Sequence, residues 1–312
     1  MKKIPSIVKQ IQKFKPSPIN FSFQKPISYS QFSIFHQCPY RWSLQYRDGH
    51  KIFTSNLSTV FGKAIHQTVQ HYLTVLFEQN AVTADREDLI SIFEDSLREE
   101  YKTQYKNNNN QHFSSPDELR EAFDDGVAIL NALKRKRSKY FGKRGWWLVG
   151  CEVPLILTPN RNYQNVLYQG FLDVVLYHEP TKTFKIIDIK TSYSSWNDKQ
   201  KKDENKLYQL IFYKKFFAEQ FNVPIENIEV EFFILKRKIW EESEFPQSRI
   251  QIFSPASGKS KVSKASILFD EFIKTAFNQD GYSEVELKPN VCEKSCKWCP
   301  FYKDVLCPES LL

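Results

Sequence analysis

The sequence predicts one α/β domain: a central mixed sheet flanked by helices, a helical insertion ahead of the sheet, and a cysteine-rich tail behind it. Three observations predict this. Apolar residues keep helical spacing through most of residues 60–141. From Trp146 to Lys190 the pattern changes to runs rich in Val, Ile, Leu and Tyr, separated by turn residues. A helical pattern, an apolar run and another helical pattern then precede a tail that holds four of the six cysteines. No linker divides the chain, so residues 28–312 read as one domain, with its core at about 146–278 and its tail at 290–312. Residues 1–27, rich in Pro and Lys, read as a largely irregular basic arm.

The elements follow in order. Ser30 opens a helix through Phe32, Phe35, Tyr40 and Leu44. Ser58 or Thr59 caps the next, which carries Phe61, Ile65, Val69, Tyr72 and Leu76 at helical spacing. A further helix covers about 86–105 and ends before the polar run Asn107–Asn110. Ser115-Pro116-Asp117-Glu118 is a capping box with proline at the first helical position. Its helix extends to about Phe141 and turns Leu119, Phe123, Val127, Leu130 and Leu133 inward. Strands are expected at Trp146–Leu157, Val166–Tyr177, Phe184–Lys190 and Ile228–Leu235, the first three of antiparallel type. Helices fill about 204–221 and 263–278.

Composition limits the function classes. With 41% hydrophobic and 15% aromatic residues, the chain is globular rather than disordered. No apolar run approaches the roughly 18 residues a membrane span needs, and Met1-Lys2-Lys3-Ile4-Pro5 opens no secretory leader. A cytoplasmic location and no membrane partner are expected. The net charge of +8 is clustered: Lys2, Lys3, Lys9, Lys13, Lys15 and Lys25 fall in the arm, with further blocks at 134–139 and at Lys236-Arg237-Lys238. One such block alone is usually a solvated face. Three of them beside phosphodiester chemistry point to a nucleic-acid backbone.

That chemistry is suggested by Asp188-Ile189-Lys190. Residues i and i+2 of a strand share a face, so the carboxylate and the ammonium project side by side. Asp173 on a neighbouring strand adds a second hard oxygen ligand. Two carboxylates beside one cation suit Mg²⁺ or Mn²⁺ acting on phosphodiesters.

The ordered set Ser28-(x)9-Cys38-Pro39-Tyr40, Gly62-(x)3-His66, Gly170-Phe171-Leu172-Asp173, Asp188-Ile189-Lys190-Thr191 and Gln209-(x)3-Tyr213 resembles the RecB-like branch of the PD-(D/E)XK nuclease superfamily. The resemblance implies a restriction-endonuclease-like core and a DNA exonuclease acting on single strands or DNA ends in recombination, repair or replication. It puts His66, Asp173, Asp188 and the Ile189 carbonyl on the metal, and gives Lys190 the attacking water or the developing charge. Two flanking carboxylates favour that electrostatic or water-positioning role over general base. Gln209 and Tyr213 line the site, as Lys236 and Arg237 do for DNA. Glu152 supports the metal from behind, although an exposed strand carboxylate is nearly as ordinary a reading. His66 alone reads as a structural helix residue; the resemblance raises it to a ligand. No GxxxxGK[ST] loop occurs, so any unwinding needs a partner such as a helicase.

The tail spacing C-(x)3-C-(x)2-C-(x)7-C suits Zn²⁺ or an iron–sulfur cluster. The resemblance implies a 4Fe-4S cluster held by Cys38, Cys296, Cys299 and Cys307, with Cys292 a possible substitute and the last spacing longer than usual. Cys151 reads as a buried free thiol. Two further readings stand beside the nuclease: a catalytically silent nuclease-fold module that binds DNA or a helicase, and a zinc-stabilised nucleic-acid-binding protein. An intact His66, Asp173, Asp188 and Lys190 weighs against the first. The second leaves the Gly-Phe-Leu-Asp and Asp-Ile-Lys-Thr segments unexplained.

Overall fold

Two faces of one sheet, each covered by its own helices, build the protein. The computed structural model describes residues 3–50, 55–142, 144–240, 242–292 and 296–307. Lys2 of the basic arm and parts of the cysteine tail, 293–295 and 308–312, lie outside the described residues. The chain order is α1 (Ser6–Gln12), β1 (Lys25–Ile27), α2 (Tyr29–Gln37), α3 (Pro39–Trp42), a π turn at Ser43–Arg47, α4 (Leu57–Glu78), α5 (Ala81–Arg86), α6 (Leu89–Asn107) and α7 (Pro116–Tyr140). There follow β2 (Trp146–Leu157), β3 (Val166–His178), β4 (Thr183–Ser192), α8 (Asp198–Lys201), α9 (Glu204–Phe221), a 3-10 turn at Ile225–Asn227, β5 (Ile228–Lys236), β6 (Ile250–Phe253) and α10 (Lys259–Ala276).

Among the described residues the sheet runs β1-β3-β4-β5-β6, with β2 also paired to β3. β2, β3 and β4 form an antiparallel meander, as the short turns between them require. β4 and β5 are parallel, joined across one face by α9. Both strands are buried on two sides, and their sequences accordingly read as nearly continuous apolar runs, Phe184–Ile189 and Phe232–Leu235, rather than as alternation. Alternation nonetheless sorts their side chains. Phe184, Ile186, Phe232 and Ile234 join the aromatic core under α2, α9 and α10. Ile187, Ile189, Phe233 and Leu235 pack under α4, α6 and α7. The first core is a mesh of aromatic edges and faces, for example Phe32 against Phe212 at 4.8 Å and 89°.

Several expectations change in contact with the structure. The arm contains α1, whose Val8 and Ile11 are buried in the first core, and β1, which adds to β3 in parallel. Two apolar side chains among lysines and prolines leave too faint a period to read. Pro26 is tolerated because β1 is an edge strand. The helix expected to run from Ser30 through Leu44 breaks at Cys38, which is extended at φ −156° and ψ 108°. Pro39 disfavours helical geometry at the preceding residue, so Cys38 becomes the N-cap of α3. Asn56, not Ser58 or Thr59, caps α4 by accepting the Thr59 amide. The Ser115–Glu118 capping box makes both of its reciprocal bonds.

Gly126 of α7 lies against Phe93 of α6, and a Cβ there would overlap the Phe93 ring. Gly126→Ala is expected to destabilise the protein by about 1–3 kcal/mol through overpacking, read by chemical denaturation.

Candidate active site

The site forms where two strands part. β3 and β4 pair from His178↔Thr183 to Val174↔Ile187, and the ladder stops there. One step further, the Asp173 carboxylate takes the Ile189 amide at 2.7 Å in place of a backbone carbonyl. Alternation turns Asp188 and Lys190 toward α9, on the face of Ile186. The Lys190 Nζ lies 2.8 Å from Asp188 Oδ2. Gln209 donates to Asp188 Oδ1 at 2.9 Å and to the Tyr213 hydroxyl at 3.0 Å, an arrangement its i, i+4 spacing on α9 permits. Asp188 is 1% exposed. Its Oδ2 makes an ion pair with Lys190 but no hydrogen bond in bonding geometry among the described residues.

Helix α4 approaches from the opposite face. An ideal Cβ on Gly62 would sit 3.4 Å from Thr191 Oγ1, which shows how close the helix runs to β4. One turn on, His66 Nδ1 stands 3.6 Å from Asp173 Oδ2. One further turn brings Gln70, which sequence reasoning missed. Its amide donates to Glu152 Oε1 at 2.6 Å and to the Asp173 carbonyl at 3.0 Å. Glu152 lies within β2, in left-handed backbone at φ +52°. The β2–β3 register skips the Glu152–Asp173 pair between Cys151↔Val174 and Val153↔Leu172, and Gln70 fills the gap. The readable signal for Gln70 is its place one turn beyond His66 on the same helix face.

Burial sets the electrostatics. It holds the Asp173 carboxyl well above the usual range, helped by the charge of Asp188. Asp188 is also raised by burial, with Lys190 acting in the opposite sense. His66 is pushed down to about 4 by burial and then by the Lys190 charge, against the pull of the Ile189 carbonyl. It is therefore a neutral imidazole near pH 7, the form that ligates metals. In an extended strand the N–H and C=O of one residue leave on the same side, so the Ile189 carbonyl shares the side from which its amide reaches Asp173.

Among the described residues, no three His, Cys, Asp or Glu side chains are drawn into a finished coordination shell. The donors available at the fork are still those a hard divalent cation takes: two carboxylates, one with a buried oxygen partnered among the described residues by the Lys190 ammonium alone, a neutral imidazole and a carbonyl. A cation would also relieve the repulsion that raises Asp173.

The cysteines gather elsewhere. Cys38, Cys296, Cys299 and Cys307 line one cavity, and Cys292 is not among its lining residues. The break at Cys38 turns its sulfur toward the tail, where it accepts the Asn290 amide at 3.3 Å. The Cys292 amide reaches Cys296 Sγ at 3.2 Å. The Cys299 thiol is pushed up by burial, with Cys38 and Cys307 both close enough to act on it. Asn290 bonds the Gln37 carbonyl and Tyr40 the Leu306 carbonyl, both at 2.9 Å, so the α2–α3 segment and the tail are already joined. Cys151 sits in β2, its thiol raised to about 11 by burial.

Two of the basic blocks have members bound to the rest of the fold. Arg237 and Lys238 both pair with Asp125 of α7, at 2.9 and 2.8 Å. Lys236 is 6% exposed and donates to Ser195 Oγ. Lys134 bonds the carbonyls of Asp85 and Glu87, and Arg137 pairs with Asp85. Lys236 and Arg237, expected to line the site for DNA, contact Ser195 and Asp125 in the structure. Charge is visible in a sequence; the acid that neutralises it is not.

Among the described residues no helix is long and apolar enough to cross a membrane. No curated protein matches the chain. A solved structure from Eubacterium rectale, named "Putative exonuclease", is similar over 94% of this chain and 92% of its own, at 13% identity and a TM-score of 0.48. The profile of the PD-(D/E)XK nuclease superfamily matches residues 26–307. That region runs from the edge strand β1 through the fork to the last cysteine, and the chain belongs to the PD-(D/E)XK nuclease superfamily.

Proposed function

We propose that the protein is a divalent-metal-dependent deoxyribonuclease working as an exonuclease on single-stranded DNA or DNA ends. The observation that carries this reading is the convergence of Asp173, Asp188, Lys190 and His66 at one fork, from two strands and a helix on the opposite face. His66, Asp173, Asp188 and the Ile189 carbonyl would hold Mg²⁺ or Mn²⁺. When bound, the cation supplies Lewis acidity, both to activate water near neutral pH and to offset transition-state charge. Gln209 holds the Asp188 carboxylate in place, and Gln70 ties Glu152 to the backbone of Asp173. Lys190, beside Asp188 and one-third exposed, orients the attacking water or meets the charge developing on phosphate. Unwinding of any duplex falls to a partner.

Cys38, Cys296, Cys299 and Cys307 would hold a 4Fe-4S cluster, a structural clasp on the chain ends. Support comes from their shared cavity and from the backbone amides that already point at sulfur.

The test uses linear single-stranded DNA labelled at either end beside a covalently closed single-stranded circle, with Mg²⁺ or Mn²⁺. The expected result is stepwise loss of the linear strand while the circle persists. Equal attack on the circle would overturn the exonuclease reading, and no hydrolysis with either metal would overturn the enzyme.

A further inference from the structure

We infer that Tyr193 and Trp240 form a stacking platform for unpaired nucleobases beside the active site; this rests on the nuclease reading of that site. Both rings are large, apolar and out in solvent, at 69% and 68% exposure. Neither packs on another aromatic ring among the described residues, whereas most phenylalanines are locked into the cores. They leave the sheet together. Tyr193 directly follows Ser192, the last residue of β4, and Trp240 follows the end of parallel β5 by four residues. The Arg237 and Lys238 amides bond the Ser192 and Tyr193 carbonyls at 2.9 and 2.8 Å, so the two segments run side by side past the strand ends. Ligands of open α/β sheets bind outside the carboxyl ends of parallel strands. Tyr193 is three residues from Lys190, or about 10 Å along extended chain.

Charge identifies the occupant. The segment that carries Tyr193 continues through Lys199, Lys201 and Lys202, which make no ion pair among the described residues; Lys199 and Lys202 are exposed. Exposed aromatics followed along the same chain by lysines without ion pairs among the described residues suit single-stranded nucleic acid, whose bases stack while its phosphates meet lysine. A duplex keeps its bases stacked inside and offers these rings nothing. The platform therefore selects single strands, or the frayed end of a duplex, and feeds them past Lys190.

The test measures binding without added metal, by fluorescence anisotropy, of an oligothymidylate and of an abasic strand of the same length. The wild-type chain is expected to prefer the strand with bases by about tenfold or more. Tyr193→Ala with Trp240→Ala should abolish that preference and leave affinity for the abasic strand unchanged. A preference that survives in the double variant, or is missing in the wild type, would overturn the platform and leave the exposed rings to a protein partner. Hydrolysis is not part of the readout, so an inactive enzyme would count against the active-site reading alone.

Discussion

Replacing Asp173 by Asn is expected to abolish hydrolysis and, at the same time, to stabilise the metal-free protein. The loss of activity should reach about a thousandfold or more, since it would remove one of the proposed ligands of a cation that would lower the barrier by several kcal/mol. The gain in stability follows from burial. Asp173 is raised well above the ordinary carboxylate range, first by desolvation and then by Asp188. A carboxyl with a raised folded-state pKa binds more protons folded than unfolded, so its ionisation costs stability as pH rises through and beyond about 4. The amide oxygen of Asn can still accept the Ile189 N–H that Asp173 takes at 2.7 Å. Thermal melts with a chelator present should therefore show the variant above the wild type, by a gap that widens from acid to neutral pH. A variant that melts below the wild type at neutral pH would mean that Asp173 is held by something other than the proposed balance.

Cys38→Ser is expected to strip the tail of the proposed cluster and lower the melting temperature by on the order of 10 °C, because a structural metal site contributes directly to folding. Cys292→Ser should change neither. The contrast is informative because, of the cysteines, Cys38, Cys296, Cys299 and Cys307 line the cavity and Cys292 does not, and Cys38 is supplied from a distant part of the chain. Protein purified without oxygen should be brown and carry about four irons. A colourless protein with one zinc would replace the cluster by a zinc clasp while keeping the same four ligands. Iron retained by Cys38→Ser would remove Cys38 from the set.

Much of the molecule was legible because its chemistry is local. Capping of α7 by Ser115 and Glu118, the shared strand face of Asp188 and Lys190, and the shared helix face of Gln209 and Tyr213 follow from spacing alone. What stayed hidden depends on partners far along the chain. The pairing of β1 with β3 rests on three residues in a stretch of weak pattern. Gln70 matters because Glu152 adopts left-handed backbone opposite Asp173, and nothing in the sequence around Glu152 signals that turn. The lysines and arginines of two basic blocks were visible, but Asp125 and Asp85, which engage them, sit on other elements. Pro39 did announce the break at Cys38, and the consequence, a sulfur turned toward the tail, needed the fold.

The most direct measurement follows Mn²⁺- or Mg²⁺-dependent release of nucleotides from end-labelled single-stranded DNA by the wild-type chain, Asp188→Ala and Lys190→Ala, with folding of each variant checked by its melt. The wild type is expected to degrade the strand, and to stop when the metal is chelated. Both folded variants should leave the strand intact. Undiminished hydrolysis by either variant would contradict the assignment of the fork between β3 and β4 as the catalytic centre.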